Sequence, residues 1–567
     1  MQKYFNKPFK HVGLLISSNT VMGIPSYFSY IIKNHSNIIR SLQYHQEIAH
    51  TAFESLYMDC NSIIYDSFRD IEKTATSENV ETLIIDAVIH NIKKYISFIK
   101  PHKLLYIAFD GVAPFAKMEQ QRTRRHKSNF MSKINMDDLS VSPTSVHSIW
   151  NTSAITPGTN FMNELTTKIE QEFLNKEHVY GIKQIVVSGS TEPGEGEHKM
   201  CEHIRNNSNA GDIAIYGLDS DLIMLSIFHL EYCKNVYIFR EAPVFGELAN
   251  NSKKASTKDL KLPLFLDIQK LCQSILQEMY CKYSTIQRIH DYVFLCFFLG
   301  NDFLPHFPAL NIRTSGIQIL LDTYRNILGK HENRYFIENK KIVWKNLNAF
   351  VKDMAKNEHT FLLSEYTHRN KMDGRKWTNE NNKDRENMLT NVPMMFRAEE
   401  KYICPQEPYW EDRYYQCLFH TNTSNAFVKS VATNYLEGLE WVYKYYTQGC
   451  PHWKWKYNYH YPPLLVDLIT YFPNTDNIDF ISSDNLAKPF SPYAQLSYVL
   501  PKDQLCLLPE KVQDHLLKNY SDMYETNPQF QWAFCKYLWE AHIVTKTIHA
   551  TSLEKIEKDI EKLVKIS

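Results

Sequence analysis

The feature that most restricts this chain is a recurring pairing of a short apolar run with an acidic residue at its end. Leu56-Tyr57-Met58 runs into Asp59, Lys103 to Phe109 into Asp110, and Ile213 to Leu218 into Asp219. Two further runs, 184–187 and 236–239, continue the series, and helical periodicity fills intervals such as 80–98 and 163–173. Short strands alternating with helices predict an α/β fold with a mainly parallel sheet flanked by helices. In such a sheet ligands bind outside the carboxyl ends of the strands, which is where these acids fall.

At 567 residues the chain exceeds one ordinary core, and its length implies roughly three to four domain-sized units. Lys+Arg and Asp+Glu both number 63, so the formal net charge is zero. That balance excludes a histone-like polycation and an acidic solvating chain, so any contact with nucleic acid must come from local segregation of charge. None of the eleven cysteines forms a Cys-x-x-Cys pair, which points to reduced thiols in a reducing compartment. A cytoplasmic location is expected, with nucleus or organelle as alternatives. No apolar run approaches the roughly 18 to 20 residues of a membrane span, so no membrane association is expected. The first 46 residues contain no Asp or Glu, and Lys3, Lys7 and Lys10 precede Val12–Ile16; that apolar run is short for a targeting peptide.

The acids form a larger set. Asp219 and Asp221 have i, i+2 spacing, which would turn both carboxylates to one side of an extended segment. Glu195 and Glu197 repeat that spacing in a Gly-containing turn ahead of a helix, and Asp302 follows the apolar stretch 292–299. Seven carboxylates on one rim would repel one another, each close pair by about 4 kcal/mol at an effective dielectric near 20. Bound cations relieve that repulsion, and an all-oxygen donor set selects hard ions such as Mg²⁺ or Mn²⁺. Two such ions suit phosphodiester cleavage. For any single acid the competing reading is a helix cap or turn residue.

From Lys117 the chain reads Lys-Met-Glu-Gln-Gln-Arg-Thr-Arg-Arg-His-Lys. Lys117, Gln121, Arg124 and Arg125 share one helical face close behind Asp110, and an ammonium, an amide and two guanidinium forks suit a terminal phosphate. The alternative is a solvated basic face or an import signal. Between Trp453 and Tyr461 aromatic and polar residues alternate, a pattern on which single-stranded bases could stack or which could simply pack between domains. Residues 366–396 are polar and without clear periodicity, and are expected to be a linker or exposed insertion. Leu553, Ile556, Ile560 and Leu563 predict one amphipathic, docked C-terminal helix.

These residues together resemble the XRN family of 5′-to-3′ exoribonucleases. The resemblance rests on Met22-Gly-Ile-Pro-Ser-Tyr-Phe, Leu56-Tyr-Met-Asp-Cys-Asn-Ser-Ile-Ile, the segment from Phe109 to Arg125, Ile155-Thr-Pro-Gly-Thr and Glu192-Pro-Gly-Glu-Gly-Glu-His-Lys. It continues through Tyr216-Gly-Leu-Asp-Ser-Asp, Phe294 to Pro305, Tyr435-Leu-Glu-Gly-Leu-Glu-Trp-Val, the Trp453 run and Pro492-Tyr-Ala-Gln-Leu, in family order. It implies a nuclease core of the PIN or flap-nuclease kind, packed with a second, mostly helical, aromatic-rich block. The implied reaction is processive hydrolysis of single-stranded RNA bearing a 5′-monophosphate to mononucleotides in RNA decay, with two Mg²⁺ ions.

Asp59, Asp110, Glu195, Glu197, Asp219, Asp221 and Asp302 match the family's metal-binding carboxylates. Lys117, Gln121, Arg124 and Arg125 match its 5′-phosphate pocket, which refuses caps and duplex ends. Tyr65 stands where the family often has a base-stacking histidine, and Trp453 or Trp455 would face it. The zinc knuckle of nuclear members is missing. The implied division is an N-terminal extension at 1–21, a nuclease domain at 22–345, a linker or insertion at 346–404, a second block completing the pocket at 405–510 and a helical segment at 511–567. A monomer is expected, and no decapping partner can be named. Two other functions compete: a flap-type DNA nuclease, disfavoured because Leu304-Pro-His-Phe-Pro-Ala-Leu stands where those enzymes have a Gly-Ile-Gly-Pro hairpin, and an inactive RNA-binding scaffold, disfavoured because no carboxylate is lost.

Overall fold

A computed structural model describes residues 26–41, 53–72, 78–137, 150–207, 210–217, 220–241, 263–378, 380–476, 478–481, 487–524 and 529–565. The strands Ile39–Ser41 (β1), Ser55–Asp59 (β2), Leu104–Ala108 (β3), Gln184–Ser188 (β4), Ala210–Tyr216 (β5), Cys233–Glu241 (β6) and Pro263–Asp267 (β7) form one sheet in the order β1-β7-β6-β5-β2-β3-β4. Strands β6, β5, β2, β3 and β4 run parallel, while β7 and β1 add an antiparallel edge. Parallel pairing sets the carboxyl ends of β2, β3, β4 and β5 along one rim.

Both faces of the sheet are buried, and the period of two along each strand divides its side chains between them. Leu56, Met58, Leu105, Ile107, Ala214 and Tyr216 join the apolar stripes of the helices Val80–Ile99 and Asn160–Phe173, including Ile84, Val88, Leu165 and Ile169. Tyr57, Tyr106, Ile213 and Ile215 face the other way, onto Met200, Ile204, Leu222 and Ile223 of the helices Gly196–Asn206 and Ser220–Phe228. Each large aliphatic side chain buried in this way contributes about 1.5–3 kcal/mol.

That second core does not stop at the nuclease sheet. It runs on through Phe294, Phe297 and Phe298 into Tyr435, Leu436, Leu439, Trp441 and Tyr445 of the 24-residue helix Asn425–Gln448. A helix buried on nearly every side forms where neighbours surround it, and this one lies between the nuclease sheet and the rest of the helical block. Among the described residues no helix is long and apolar enough to cross a membrane.

Residues 346–404 are not a linker. They carry most of the 27-residue helix Trp344–Asn370 and the helices Asn382–Thr390, Val392–Met395 and Ala398–Ile403. Leu347, Phe350, Val351, Met354, Leu362 and Tyr366 enter the interior. Arg369, within the polar stretch 366–396 that suggested an exposed insertion, is internal: its Nε donates to Glu400 Oε2 at 2.8 Å, Arg397 Nε donates to the same oxygen at 2.6 Å, and the Phe534 amide donates to Glu400 Oε1 at 2.9 Å. Buried ions paired with one another have the composition of a surface and the position of a core. Near the end of the chain, the helix Ala550–Lys565 docks through Leu553, Ile556 and Ile560, which are all buried.

Candidate active site

The acidic rim is assembled by the turns that follow the strands. Asp59 closes β2, and Asp110 lies two residues beyond β3. Asn61 clamps Asp110 from both ends: its side-chain amide donates to Asp110 Oδ2 at 2.6 Å, and its Oδ1 accepts the Asp110 backbone N–H at 3.0 Å. The other oxygen, Asp110 Oδ1, accepts the Gly196 amide at 2.7 Å, so the carboxylate lies at the N-terminus of the helix Gly196–Asn206, where the helix dipole favours negative charge. Gly196 is required by space, because a Cβ there would stand 2.7 Å from Asp59 Oδ1. Beneath the rim, the buried Lys199 ammonium donates to the carbonyls of Phe109 at 2.9 Å and Gly189 at 2.7 Å, tying together the exits of β3 and β4. Burial holds its pKa down to about 8.

Lys117 is the centre of the arrangement. It stands in the first turn of the helix Phe115–Asp137, is buried, and donates from Nζ to Glu195 Oε2 at 2.6 Å and to Asp302 Oδ2 at 2.7 Å. Burial alone would push its pKa down, but Asp302, Glu195, Glu197 and Asp221 outweigh that and hold it well above the usual lysine range. Burial, with Asp110 adding to it, raises the pKa of Glu195. Five of the seven predicted acids therefore gather about one ammonium or its partners, and Asp59 joins them through Gly196. Asp219 lies outside the described residues.

The i, i+2 reading of the acid pairs needs correction. Glu195 is extended and caps the helix Gly196–Asn206, but Glu197 is already in its first turn; Asp221 likewise sits in the first turn of Ser220–Phe228. Helix entry, not an extended segment, sets how these carboxylates are presented. Lys117, expected in the phosphate pocket, is bonded to two of the acids. Among the described residues no three acids or imidazoles form a ready cage about one point. The donor set nevertheless fits a hard divalent cation, because every candidate ligand is a carboxylate oxygen.

Further along the same helix, Gln121 is buried while Arg124 and Arg125 are half-buried. Arg125 donates to the Ile155 carbonyl at 3.5 Å, and its Nε is buried with no hydrogen-bond partner. Burial lowers the Arg125 pKa to about 10, with Tyr65 and Arg124 the charged or ionisable neighbours that act on it. Tyr65 is half-buried on the helix Asn61–Ile71, within electrostatic reach of Arg125. Trp453 is also half-buried, and its carbonyl accepts the Phe115 amide at 2.9 Å, where the basic helix begins. Trp455 does not belong to this set. It is buried and stacked on Trp441, with centroids 5.2 Å apart and planes at 23°. Tyr457 and Tyr461 are buried too, so most of the aromatic run is packing.

The helical block supplies groups that the sequence pattern hid. Tyr445 Oη donates to Glu195 Oε1 at 2.8 Å, and its ring stacks on His198 at 3.6 Å. Tyr446 faces Asp221 and Glu197. Burial keeps the His198 pKa well below its ordinary value, so the ring serves as a neutral, flat neighbour. Asn61 had a visible signal in its place two residues after Asp59; Tyr445 and Tyr446 had none among 35 tyrosines.

Comparison with known proteins agrees with this geometry. Residues 22–242 match the family model of the XRN 5′-3′ exonuclease N-terminus, and residues 282–407 and 398–539 match that of the Xrn1 helical domain. The chain is 27% identical to 5′-3′ exoribonuclease 1 of Saccharomyces cerevisiae, over 89% of this chain and 41% of that protein. It is 25% identical to the Schizosaccharomyces pombe protein of the same name, over 94% of this chain and 48% of that one. With the Homo sapiens 5′-3′ exoribonuclease 1 the figures are 29%, 88% and 31%. The chain thus spans less than half the length of each of these three relatives. Two family models in order along the sequence, with all of the acidic rim but Asp302 in the first, and Asp302 and the tyrosine contacts in the second, make the chain a member of the XRN family of 5′-3′ exonucleases.

Proposed function

We propose that the chain is a processive 5′-to-3′ exoribonuclease, hydrolysing single-stranded RNA with a 5′-monophosphate to mononucleotides in RNA decay. The observation that carries this reading is the double allegiance of the helix Phe115–Asp137. Its first turn delivers Lys117 into the acidic rim, and its next two turns carry Gln121, Arg124 and Arg125. A site for cleavage and a site for the chain end are thereby built on one rigid element. The names of the relatives, all 5′-3′ exoribonucleases, support the same reading.

Asp59, Asp110, Glu195, Glu197, Asp219, Asp221 and Asp302 would hold the divalent cations, Mg²⁺ with Mn²⁺ as a substitute. Held there, a pair of such ions would supply the activation of water and the stabilisation of the leaving oxygen that phosphodiester hydrolysis requires. The chain's own groups do the rest. Arg124 and Arg125 offer planar forks to the terminal phosphate, with Gln121 beside them, while Tyr65 and Trp453 offer rings to the first bases. Tyr445 orients Glu195, and the stacked Tyr445 and His198 rings exclude water behind it. Lys117 offsets the repulsion among the acids and holds the phosphate helix against them.

The test is digestion of RNA carrying a 5′-monophosphate, a 5′-triphosphate or a cap, with Mg²⁺. Release of mononucleotides from the monophosphate substrate alone is expected; equal or absent digestion of all three overturns the proposal. Release of intact flaps from branched DNA would favour the DNA nuclease, and RNA binding without turnover would favour the scaffold. Asp219→Ala is expected to abolish turnover and leave RNA binding in place.

A further inference from the structure

Behind the basic helix lies a side chain whose amide is directed at that helix and its approach. Gln495, on the helix Pro492–Val499, is fully buried. Its Oε1 accepts the backbone N–H of Ala113 at 2.8 Å, and its Nε2 faces Gln121 Oε1 at 3.5 Å. Ala113 lies two residues ahead of Phe115, where the phosphate helix starts.

The direction of these bonds follows from chemistry. A side-chain amide has one acceptor end and one donor end, and a backbone N–H only donates. Ala113 therefore fixes Gln495 with its oxygen toward the backbone and its NH₂ toward Gln121. A donor facing Gln121 selects the oxygen of that amide; two oxygens, or two NH₂ groups, facing each other in a buried space would repel. The Gln121 oxygen is thus turned toward Gln495, and its NH₂ becomes the end available to a ligand. A phosphate monoester presents acceptor oxygens, so this orientation is the productive one, and the flipped amide would set oxygen against oxygen.

We propose that Gln495 is a positioning residue for 5′-end recognition: through Gln121 it sets the polarity of the phosphate pocket, and so contributes to the preference for a 5′-monophosphate over a 5′-hydroxyl. This rests on the proposed exoribonuclease reading and adds to it a residue, from the helical block, that touches no substrate.

The experiment measures kcat/KM for two RNAs of one sequence, with 5′-monophosphate and with 5′-hydroxyl ends, using the purified 567-residue chain. The ratio is internal to each preparation, so a variant that folds only in part still reports it. Gln495→Met removes the donor without adding charge and is expected to lower the ratio about threefold; Gln495→Glu, which offers oxygen where NH₂ stood, about tenfold. In a Gln121→Ala background, Gln495→Met is expected to lower it no further, as a double-mutant cycle requires of a residue acting through its neighbour. An unchanged ratio in Gln495→Met, or the same fall with Gln121 absent, overturns the proposal while leaving the exoribonuclease reading intact. A wild-type enzyme that digests both ends equally overturns both.

Discussion

At Lys117 two demands meet in one side chain. Its Nζ lies 2.6 Å from Glu195 and 2.7 Å from Asp302, all three buried, while its helix goes on to Gln121 and the arginine pair. Removing one partner of a buried ion pair costs about 3–5 kcal/mol, because the charge left behind is uncompensated. Lys117→Met is therefore expected to lower the melting temperature in chelator, and added Mg²⁺ should restore more of it than in the wild type. Thermal melts with and without the ion check this; equal recovery in both proteins would remove Lys117 from the balance. Gly196 is the second such point. Gly196→Ala puts a methyl 2.7 Å from Asp59 Oδ1, and displacement of the carboxylate should cost about a hundredfold in kcat with little change in RNA affinity, measurable by single-turnover assay beside a binding titration.

Among elements, the helix Phe115–Asp137 meets the aromatic run through a partly buried ionic contact. Glu119 of the helix is bonded to Lys456 and Tyr498, and the Lys456 ammonium also lies 5.2 Å from the Phe115 ring centre. Burial alone would raise the Glu119 pKa, but Lys456 and these bonds pull it down to about 2. A carboxyl whose folded pKa lies below its unfolded value, about 4.3, stabilises the fold above that value and loses the contribution as pH falls toward 2. Glu119→Gln is therefore expected to lower stability at pH 7 and to flatten its decline between about pH 4.5 and 2. Urea melts across that range test it, and parallel curves for the two proteins would contradict the assignment. The same elements show what the sequence could disclose. Asp59 and Asp110 were legible because apolar runs ending in acids declare strand ends. The 346–404 span was misread because Arg369, Arg397 and Glu400 satisfy one another inside the protein, and composition cannot distinguish an ion held by its partners from one held by water. Trp455 shows the converse: a ring that stacks on Trp441 has the same alternating pattern as one that stacks on a base.

For the molecule as a whole, the decisive fact is that one apolar core passes from the sheet into the helix Asn425–Gln448. Nuclease block and helical block share side chains and so should unfold together. Calorimetry is expected to give a single transition, and a fragment ending at residue 345 should expose the surface vacated by Tyr435, Leu439 and Trp441 and remain unfolded or aggregated. Two resolved transitions would show that the blocks are separable. Net neutrality takes on a spatial meaning at this scale: the rim concentrates acids about Lys117, two turns of one helix away from Arg124 and Arg125, and a sum over the chain conceals that local segregation.

The helix Phe115–Asp137 has one more property, its length. From Lys117 to Arg124 is seven residues, about 10.5 Å along the axis at 1.5 Å per residue. An α-helix neither stretches nor shortens by a useful amount, and this one is fastened to the acidic rim through Lys117. In the proposed reaction the interval between the gripped chain end and the bond to be cut is then a fixed measure. Such an enzyme would count by geometry: each cut would remove the same portion of RNA, because the gauge would be a piece of backbone, indifferent to which base is present.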